Sequence, residues 1–209
     1  PNNYVKYSGK LAEELKKKNN KGVVWANQFD NTANYKGHYE TTGKEIWDQT
    51  NGKVDGFVCA SGTGGTIAGV SNALKEKNKD IKIFLSDPKG SSLYNYIKNK
   101  ELKSEGSSIT EGIGSSRLTK NFENALIDDA YSIDDTTALN VIFNLIEKEG
   151  LSLGTSSGIN VAGAIKLGKE LGPNKTIVTI LCDKSDRYQG KLFNKKFLQE
   201  KGLPYPKWL

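Results

Sequence analysis

The chain has 209 residues, enough for one large domain or two small ones with a buried core. Its net charge is +6, yet only two of its thirty basic residues are arginine, and the lysines are spread among acidic residues. Surfaces that bind nucleic acid favour clustered arginine, so this pattern indicates solvated helix faces instead. No apolar run approaches the length of about 18 residues that a membrane-spanning helix needs, and no signal peptide is visible. We therefore expect a cytoplasmic protein that binds neither nucleic acid nor membranes.

Two cysteines and one histidine offer little material for a metal site. Cys59 and Cys182 each end an apolar, strand-like run, and no group of residues has a metal-binding spacing. We predict that both thiols are buried and reduced, that no metal is bound, and that His38 has a structural role.

In chain order, hydrophobic periodicity first predicts an amphipathic helix over residues 3–18. A short strand at residues 23–26 and a polar loop at residues 27–31 follow. A second helix covers residues 36–50 and is interrupted near its middle. In an open α/β sheet, a loop after the carboxyl end of a strand lies where ligands bind. The polar loop, which contains Gln28, is therefore a candidate part of a binding site.

The middle of the chain is organised around residues 54–70. There an apolar strand runs into a loop of glycine and hydroxyl residues, and then into a helix that ends near Asn78. A buried strand follows at residues 81–85, whereas residues 88–130 are less regular. A stretch of this length without regular elements is typically functional or mobile.

The last third of the chain repeats the alternation of helix and strand. A capping box that begins at Ser132 opens a helix, and Gly150 stops it. A loop at residues 154–158 precedes another helix, and residues 176–181 form a strongly buried strand. Helices that alternate with β-branched runs predict an α/β fold with a doubly wound, mostly parallel sheet.

The loop after the first central strand has the composition of a phosphate cradle. Bare backbone N–H groups at the positive end of a helix bind anions. Glycine lets a phosphate approach the backbone and accepts positive φ, and threonine hydroxyls add donors. The candidate phosphate-binding residues are Gly62, Thr63, Gly64, Gly65 and Thr66.

Three classes of phosphate-binding site are candidates for this loop: a P-loop, a dinucleotide-binding loop and the site of a phosphorylated organic cofactor. A P-loop requires Lys and then Ser or Thr after its last glycine, but Val70 and Ser71 follow Gly69. A dinucleotide fingerprint requires a glycine where Ile67 stands, so that motif is not met. Asp87, however, stands at the end of the next strand, where a ribose-binding acid would belong, so an NAD-binding protein remains a minor alternative. The third kind is a phosphorylated organic cofactor held without lysine or metal.

The second glycine- and serine-rich loop, at residues 154–158, either caps its helix or contacts another part of the ligand. The two loops and residues 112–114 occur in an order and spacing that resemble the pyridoxal-phosphate cysteine synthases. These are fold-type II β-replacement enzymes related to cystathionine β-synthase. The sequence is similar to this family in four further segments: residues 2–7, 27–31, 41–47 and 202–209.

The resemblance implies a tryptophan-synthase-β-like fold and pyridoxal 5′-phosphate as the cofactor. The loop at residues 62–66 would wrap the phosphate, and Ser156 would hydrogen-bond the pyridine nitrogen. Gln28 would lie near the substrate carboxylate, and Gly112 would line the mouth of the active site. The implied reaction converts O-acetyl-L-serine and sulfide into L-cysteine and acetate. The implied partners are a second copy of the protein, in a homodimer, and the C-terminal tail of serine acetyltransferase, which binds some relatives.

No segment of this chain matches the Schiff-base lysine that the family carries in its N-terminal half. We therefore expect a fragment, the C-terminal two thirds of a cysteine synthase, which holds no covalent catalyst. Residues 1–50 would be the remainder of the smaller domain and a crossover helix. Residues 51–209 would be the large domain that binds the cofactor phosphate.

One segment departs from the family pattern. Residues 184–186, Lys-Ser-Asp, are unusual for this position and leave the choice of substrate open. The alternatives are a relative that resembles cystathionine β-synthase or uses O-phosphoserine, and a truncated, non-catalytic paralogue that binds a partner or regulates.

Overall fold

The computed structural model describes residues 3–19 and 21–209. Short 3₁₀ turns at Phe122–Asn124 and Ser185–Tyr188 join some of its regular elements. In chain order, the α-helices and β-strands are α1 (Tyr4–Lys18), α2 (Ala33–Glu40), α3 (Thr42–Gln49), β1 (Gly56–Cys59), α4 (Gly65–Lys77), β2 (Lys82–Pro88), α5 (Leu93–Asn99), β3 (Asp129–Ile133), α6 (Asp135–Glu149), α7 (Thr155–Leu171), β4 (Ile177–Thr179), α8 (Gln189–Leu192) and α9 (Lys195–Glu200).

The strands of the described residues form one parallel sheet in the order β3-β2-β1-β4. Phe57 of β1 lies opposite Ile83 of β2 and Val178 of β4. Because side chains alternate along a strand, β1 buries Phe57 and Cys59 against α4 on one face and Val58 against α7 on the other. Helices therefore cover both faces, and the predicted doubly wound parallel sheet is confirmed.

The helix that follows the second loop packs directly on the sheet. A Cβ atom at Gly163 in α7 would lie 2.5 Å from Ser86 Oγ and 2.9 Å from Val58 Cγ1. Since real Cβ contacts are longer, only glycine allows α7 to approach the sheet this closely.

Two predicted strands differ from the structure. Residues 23–26 form no strand, and Val24 is 94% exposed. The strand predicted at residues 176–181 is shorter and less buried than expected, because β4 has one neighbour, β1, among the described residues. Strand propensity depends on the neighbours that a side chain packs against, and a sequence does not name them.

The sequence pattern also misses a strand. β3 begins at the end of the stretch predicted to be irregular, residues 88–130, and it pairs with β2 from Asp129 to Ile133. Ser132 therefore belongs to a strand, and the capping box predicted there is wrong. The cap of α6 is Asp134, whose carboxylate accepts a hydrogen bond of 2.8 Å from the N–H of Thr137.

The predicted helix at the start of the chain is confirmed, but its apolar side is not covered. Asn3 caps α1, and Tyr4 and Tyr7 are 69% and 67% exposed. The prediction of buried thiols is confirmed for Cys59 and wrong for Cys182, which is exposed because β4 ends before it. No helix of the described residues is long and apolar enough to cross a lipid bilayer.

The contact at Gly163 makes a testable prediction. Gly163→Ala should lower the free energy of unfolding by about 1–3 kcal/mol, because the added methyl group must displace Ser86 or the helix. Urea denaturation followed by circular dichroism measures this change.

The matched control is Gly37→Ala in α2, where an added Cβ meets nothing within 4 Å. This substitution should raise the free energy of unfolding by roughly 0.5–1 kcal/mol, since alanine is the better helix former. Equal effects of the two substitutions would show that α7 does not need close contact with the sheet.

Candidate functional site

The loop between β1 and α4 has the geometry of an anion cradle. Gly64 is the N-cap of α4 and has φ of +86°, a conformation that favours glycine. The backbone N–H groups of Thr63, Gly64, Thr66 and Ile67 make no hydrogen bond to any other residue that the structure describes. The first turn of a helix leaves such donors free, and they carry the positive end of the helix dipole.

Three glycines of this loop touch backbone or side chains that approach from other parts of the chain. A Cβ at Gly62 would lie 2.3 Å from the carbonyl oxygen of Gly112, and one at Gly64 would lie 2.6 Å from the backbone N of Phe122. At Gly65 the nearest atom would be Oδ1 of Asn34, at 2.0 Å. The predicted cradle residues and Gly112 are therefore neighbours, and the loop tolerates no larger residue at these positions.

Two asparagines join the polar loop that contains Gln28 to the cradle. Nδ2 of Asn34 donates to the carbonyl oxygen of Gln28 at 2.8 Å and to Oγ1 of Thr63 at 3.0 Å. Nδ2 of Asn121, which is fully buried, donates to the carbonyl oxygens of Gln28 and Phe29 at 3.0 and 2.7 Å. The structure thus brings Gln28 next to the loop at residues 62–66. No sequence pattern marks Asn34 or Asn121 as part of a site.

A solvent-exposed ion pair joins two of the segments that surround the cradle. The guanidinium of Arg117 binds the carboxylate of Asp30 through two hydrogen bonds, of 3.1 and 3.0 Å. The bond from Arg117, opposed by partial burial, holds the pKa of Asp30 below its usual range. The pair ties the segment that follows Gly112 to the one that follows Gln28.

The second glycine-rich loop is buried at the N-terminus of α7. Gly154 is the N-cap, and Ser156 is only 4% exposed. Ser157 Oγ accepts a hydrogen bond of 3.0 Å from the backbone N–H of Cys182. Thr155 Oγ1 and, beside the first loop, Ser61 Oγ are both buried and have no hydrogen-bond partner among the described residues. Buried hydroxyls of this kind are uncommon, and each is available to a ligand.

The two loops meet through α7 and the strand ends. Asn160 Oδ1 accepts a hydrogen bond of 2.6 Å from the N–H of Ala60, the residue before Ser61. Ile113 and Ala60 both pack against the buried cluster that contains Ile159. All the residues predicted for the site therefore lie at the carboxyl ends of the strands, where ligands bind in open α/β sheets.

His38 contacts the cradle, and its hydrogen-bond partners among the described residues are hydroxyl groups, neither acidic nor basic. Its Nε2 lies 3.3 Å from Thr66 Oγ1, and its Nδ1 lies 2.9 Å from Thr42 Oγ1. Burial lowers the pKa of His38, so the ring is neutral near pH 7. A neutral ring between two hydroxyls orients the Thr66 side chain, in agreement with a structural role.

Comparison with known proteins assigns the chain to a family. A family model described as pyridoxal-phosphate dependent enzyme matches residues 3–183. The chain belongs to the pyridoxal-phosphate dependent enzyme family. Within it, the chain is 45% identical to cysteine synthase 1 of Neurospora crassa, over 97% of this chain and 54% of that protein. It is 44% identical to the cysteine synthase of Dictyostelium discoideum, over 85% and 50% respectively.

A solved structure shares the fold. The O-acetylserine dependent cystathionine β-synthase of Helicobacter pylori matches with a TM-score of 0.75 and 31% identity, over 87% of this chain and 57% of that one. The predicted fold-type II architecture is therefore confirmed. The chain spans about half the length of the curated relatives it matches, where two thirds was expected.

The residues at the site fit the cofactor that defines the pyridoxal-phosphate dependent family. A phosphate needs several donors at one point, and the cradle offers four free N–H groups, with no lysine or arginine among its hydrogen-bond partners in the described residues. A pyridine ring needs a flat, mostly apolar space with one polar contact. The buried hydroxyls at the start of α7 supply such a contact.

Asp87 is bonded to the start of α5. It is fully buried at the end of β2, and its Oδ2 accepts a hydrogen bond of 2.8 Å from the N–H of Tyr94 in α5. A carboxylate enclosed in this way cannot reach a ribose, so the NAD-binding alternative has no support. Burial raises the pKa of Asp87 to about 6.

This raised pKa predicts a change of stability with pH. An unfolded aspartate has a pKa of about 3.9, so the folded protein binds the Asp87 proton more tightly. The contribution of Asp87 to stability is therefore present below about pH 4 and is lost as the pH rises through 6. Between pH 4 and pH 7 the ionisation of Asp87 should lower the free energy of unfolding of the wild-type protein by roughly 2–3 kcal/mol. Asp87→Asn, which keeps the acceptor for Tyr94, should abolish this decrease.

Urea denaturation at the two pH values measures the difference. Asp48→Asn, at an exposed position in α3, is the matched control and should leave the pH dependence of the wild-type protein unchanged. If the free energy of unfolding of Asp87→Asn depends on pH as it does in the wild-type protein, burial of the Asp87 carboxylate does not cost the proposed free energy.

Proposed function

We propose that this chain carries the cofactor-binding part of a cysteine synthase, which forms L-cysteine and acetate from O-acetyl-L-serine and sulfide. The observation that supports this most directly is the convergence of two glycine- and hydroxyl-rich helix N-termini. Both have unpartnered polar groups. The amides of Asn34 and Asn121 hold the segment that contains Gln28 beside the first loop, and the amide of Asn160 joins the second helix to the end of β1. The similarity to cysteine synthases of fungi and Dictyostelium supports the same reaction.

Each site residue has a proposed role. The first loop binds the cofactor phosphate through free N–H groups and through the hydroxyl of Thr66, which His38 orients. Ser156 binds the pyridine nitrogen through a neutral hydroxyl, which leaves that nitrogen unprotonated. When bound, pyridoxal phosphate supplies an electron sink for negative charge at the substrate α-carbon. The phosphate-binding residues are Gly62, Thr63, Gly64, Gly65 and Thr66.

The substrate contacts are proposed for Gln28 and Gly112. The amide of Gln28 is suited to hold the substrate carboxylate, and its backbone is fixed by Asn34 and Asn121. Gly112 has φ of +76°, and a Cβ there would meet nothing within 4 Å. Open space at this position agrees with a place at the mouth of the active site.

These contacts predict a difference between two ligands. Pyridoxamine 5′-phosphate has the phosphate and the ring nitrogen of the cofactor but cannot form a Schiff base with lysine. Thr66→Val should weaken the binding of both this ligand and inorganic phosphate by about tenfold or more, since it removes a donor to a charged group. Ser156→Ala should weaken only the binding of pyridoxamine 5′-phosphate. Isothermal titration calorimetry measures both affinities.

Thr50→Val is the matched control, because Thr50 Oγ1 donates to the carbonyl of Ile46 at the end of α3, outside the two loops. It should change neither affinity. A loss of inorganic phosphate binding in Ser156→Ala would contradict the assigned roles, as would tight binding of both ligands by Thr66→Val.

The lysine that holds the cofactor covalently is proposed to lie outside these 209 residues. In support, no lysine amino group is a hydrogen-bond partner of either loop among the described residues. Lys191, whose partners adjoin Gly112, binds the carbonyl oxygen of Ile109 and the carboxylate of Glu111 instead.

This proposal predicts the outcome of borohydride trapping. After treatment of the chain with pyridoxal phosphate and borohydride, peptide mapping should find weak labelling spread over surface lysines. Pyridoxamine 5′-phosphate should not compete with that labelling. Stoichiometric labelling of one lysine, suppressed by the competitor, would refute the proposal and identify the missing residue.

A second candidate reaction is that of cystathionine β-synthase. It is favoured by the 31% identity to the Helicobacter pylori enzyme and by 34% identity to the cystathionine β-synthase of Apis mellifera. The unusual residues 184–186 bear on this choice, because the backbone of Lys184 forms an isolated antiparallel β-bridge with Leu153, just before the second loop. Assay of a polypeptide that includes the covalent lysine, with O-acetylserine, O-phosphoserine or serine plus homocysteine, separates the reactions.

The remaining assignments are proposals that follow from the family. We propose a homodimer, binding of a serine acetyltransferase tail near Gln28 and Gly112, and a cytoplasmic location. Residues 1–50 are assigned to the smaller domain and residues 51–209 to the large one. Titration with the tail peptide and sedimentation analysis test the two partners.

A further inference from the structure

Asn160 links the two cofactor loops although it belongs to neither. We propose that Asn160 is a positioning residue that fixes the distance between the cradle at residues 62–66 and Ser156. The inference rests on the proposed function of the two loops. It assigns Asn160 no contact with the cofactor.

The side chain of Asn160 is 1% exposed and uses both ends of its amide. Oδ1 accepts from the N–H of Ala60 at 2.6 Å, and Nδ2 donates to the carbonyl oxygen of Ile180 at 2.8 Å. Nδ2 also lies 3.4 Å from Sγ of Cys182. One side chain therefore holds the end of β1, just before Ser61, and the segment that follows β4.

The segment after β4 is held against the second loop as well. Ser156 lies four residues before Asn160, so both side chains are on one side of α7. Cys182 is exposed as a residue, but its Sγ contacts Asn160 Nδ2, and partial enclosure of the thiol raises its pKa. The Cys182 N–H bond to Ser157 Oγ completes the connection. Cys182 thus reports on the geometry around Asn160 and around Ser157, the residue after Ser156.

The role follows from how a ligand binds at two points. A ligand that spans both loops gains the full benefit of the second contact only if the loops are already at the correct distance. A ligand that uses one loop does not depend on that distance. A buried amide suits the task because it accepts and donates at once, whereas alanine does neither and ionised aspartate only accepts.

A matched asparagine separates this role from general stabilisation. Asn72 Nδ2 donates to the carbonyl oxygens of Ala68 and Asn124 at 2.8 and 2.7 Å, on the outer side of α4. Asn72→Ala therefore also removes hydrogen bonds to backbone carbonyls, but it touches neither cofactor loop.

The test compares Asn160→Ala and Asn72→Ala with the wild-type chain. Pyridoxamine 5′-phosphate spans both loops, and inorganic phosphate occupies only the first. Asn160→Ala should weaken the binding of pyridoxamine 5′-phosphate by about tenfold and that of inorganic phosphate by less than about twofold. Asn72→Ala should change neither affinity. Thermal unfolding shows that each variant is folded at the temperature of the titration.

Cys182 supplies a measurement that needs no ligand. Asn160→Ala should raise the rate of alkylation of Cys182 by iodoacetamide by about fivefold or more, because the segment after β4 loses its anchor. Asn72→Ala should leave the rate unchanged, and the buried Cys59 should stay unlabelled in both. Asn160→Leu, which has a similar volume but neither an acceptor for Ala60 nor a donor for Ile180, is the second variant if Asn160→Ala does not fold, and the same two changes are expected for it.

Equal losses for the two ligands, or an unchanged rate of Cys182 alkylation, would overturn the positioning role. If the wild-type chain binds pyridoxamine 5′-phosphate no more tightly than inorganic phosphate, the proposed function fails. The alkylation rates then decide the role of Asn160 on their own.

Discussion

Close approach of bare backbone around the first turn of α4 is the constraint on which the site depends. Gly62, Gly64 and Gly65 each lie against an atom that any side chain would displace. These atoms belong to three separate segments, around Gly112, Phe122 and Asn34. The same contacts that exclude side chains therefore gather the segments around the free N–H groups. Charge plays a small part, since donors at a helix end bind an anion without a basic side chain.

Neutral amides hold the gathered segments in place. The side chains of Asn121 and Asn160 each bond two or more backbone groups and are almost fully buried, and Asn34 bonds the carbonyl oxygen of Gln28 and the hydroxyl of Thr63. The ion pair of Arg117 and Asp30 lies at the surface, where solvent and salt reduce its contribution to about 1 kcal/mol or less. A buried amide left without its partners costs more than that, so the site depends more on satisfied polar groups than on charge.

Local features of the site could be read from the sequence, and the long-range ones could not. The cradle and the start of α7 follow from glycine and hydroxyl residues next to helical periodicity, within a few residues of each other. By contrast, the bond of Asn160 to Ala60 joins positions 100 residues apart. The strand β3 was hidden for the same reason. Its residues Asp129 and Ser132 are poor strand formers, and pairing with β2 holds them in the sheet.

The free edge of β4 has a consequence for the chain as a polypeptide in solution. Among the described residues, β4 pairs only with β1, and the other side of its backbone is not covered by a strand. Such an edge is a template for intermolecular strand addition, and the exposed Leu181 beside it adds apolar surface. The lysine-rich composition and net charge of +6 oppose this through mutual repulsion. Colloidal stability of the chain should therefore fall at high ionic strength, where that repulsion is screened.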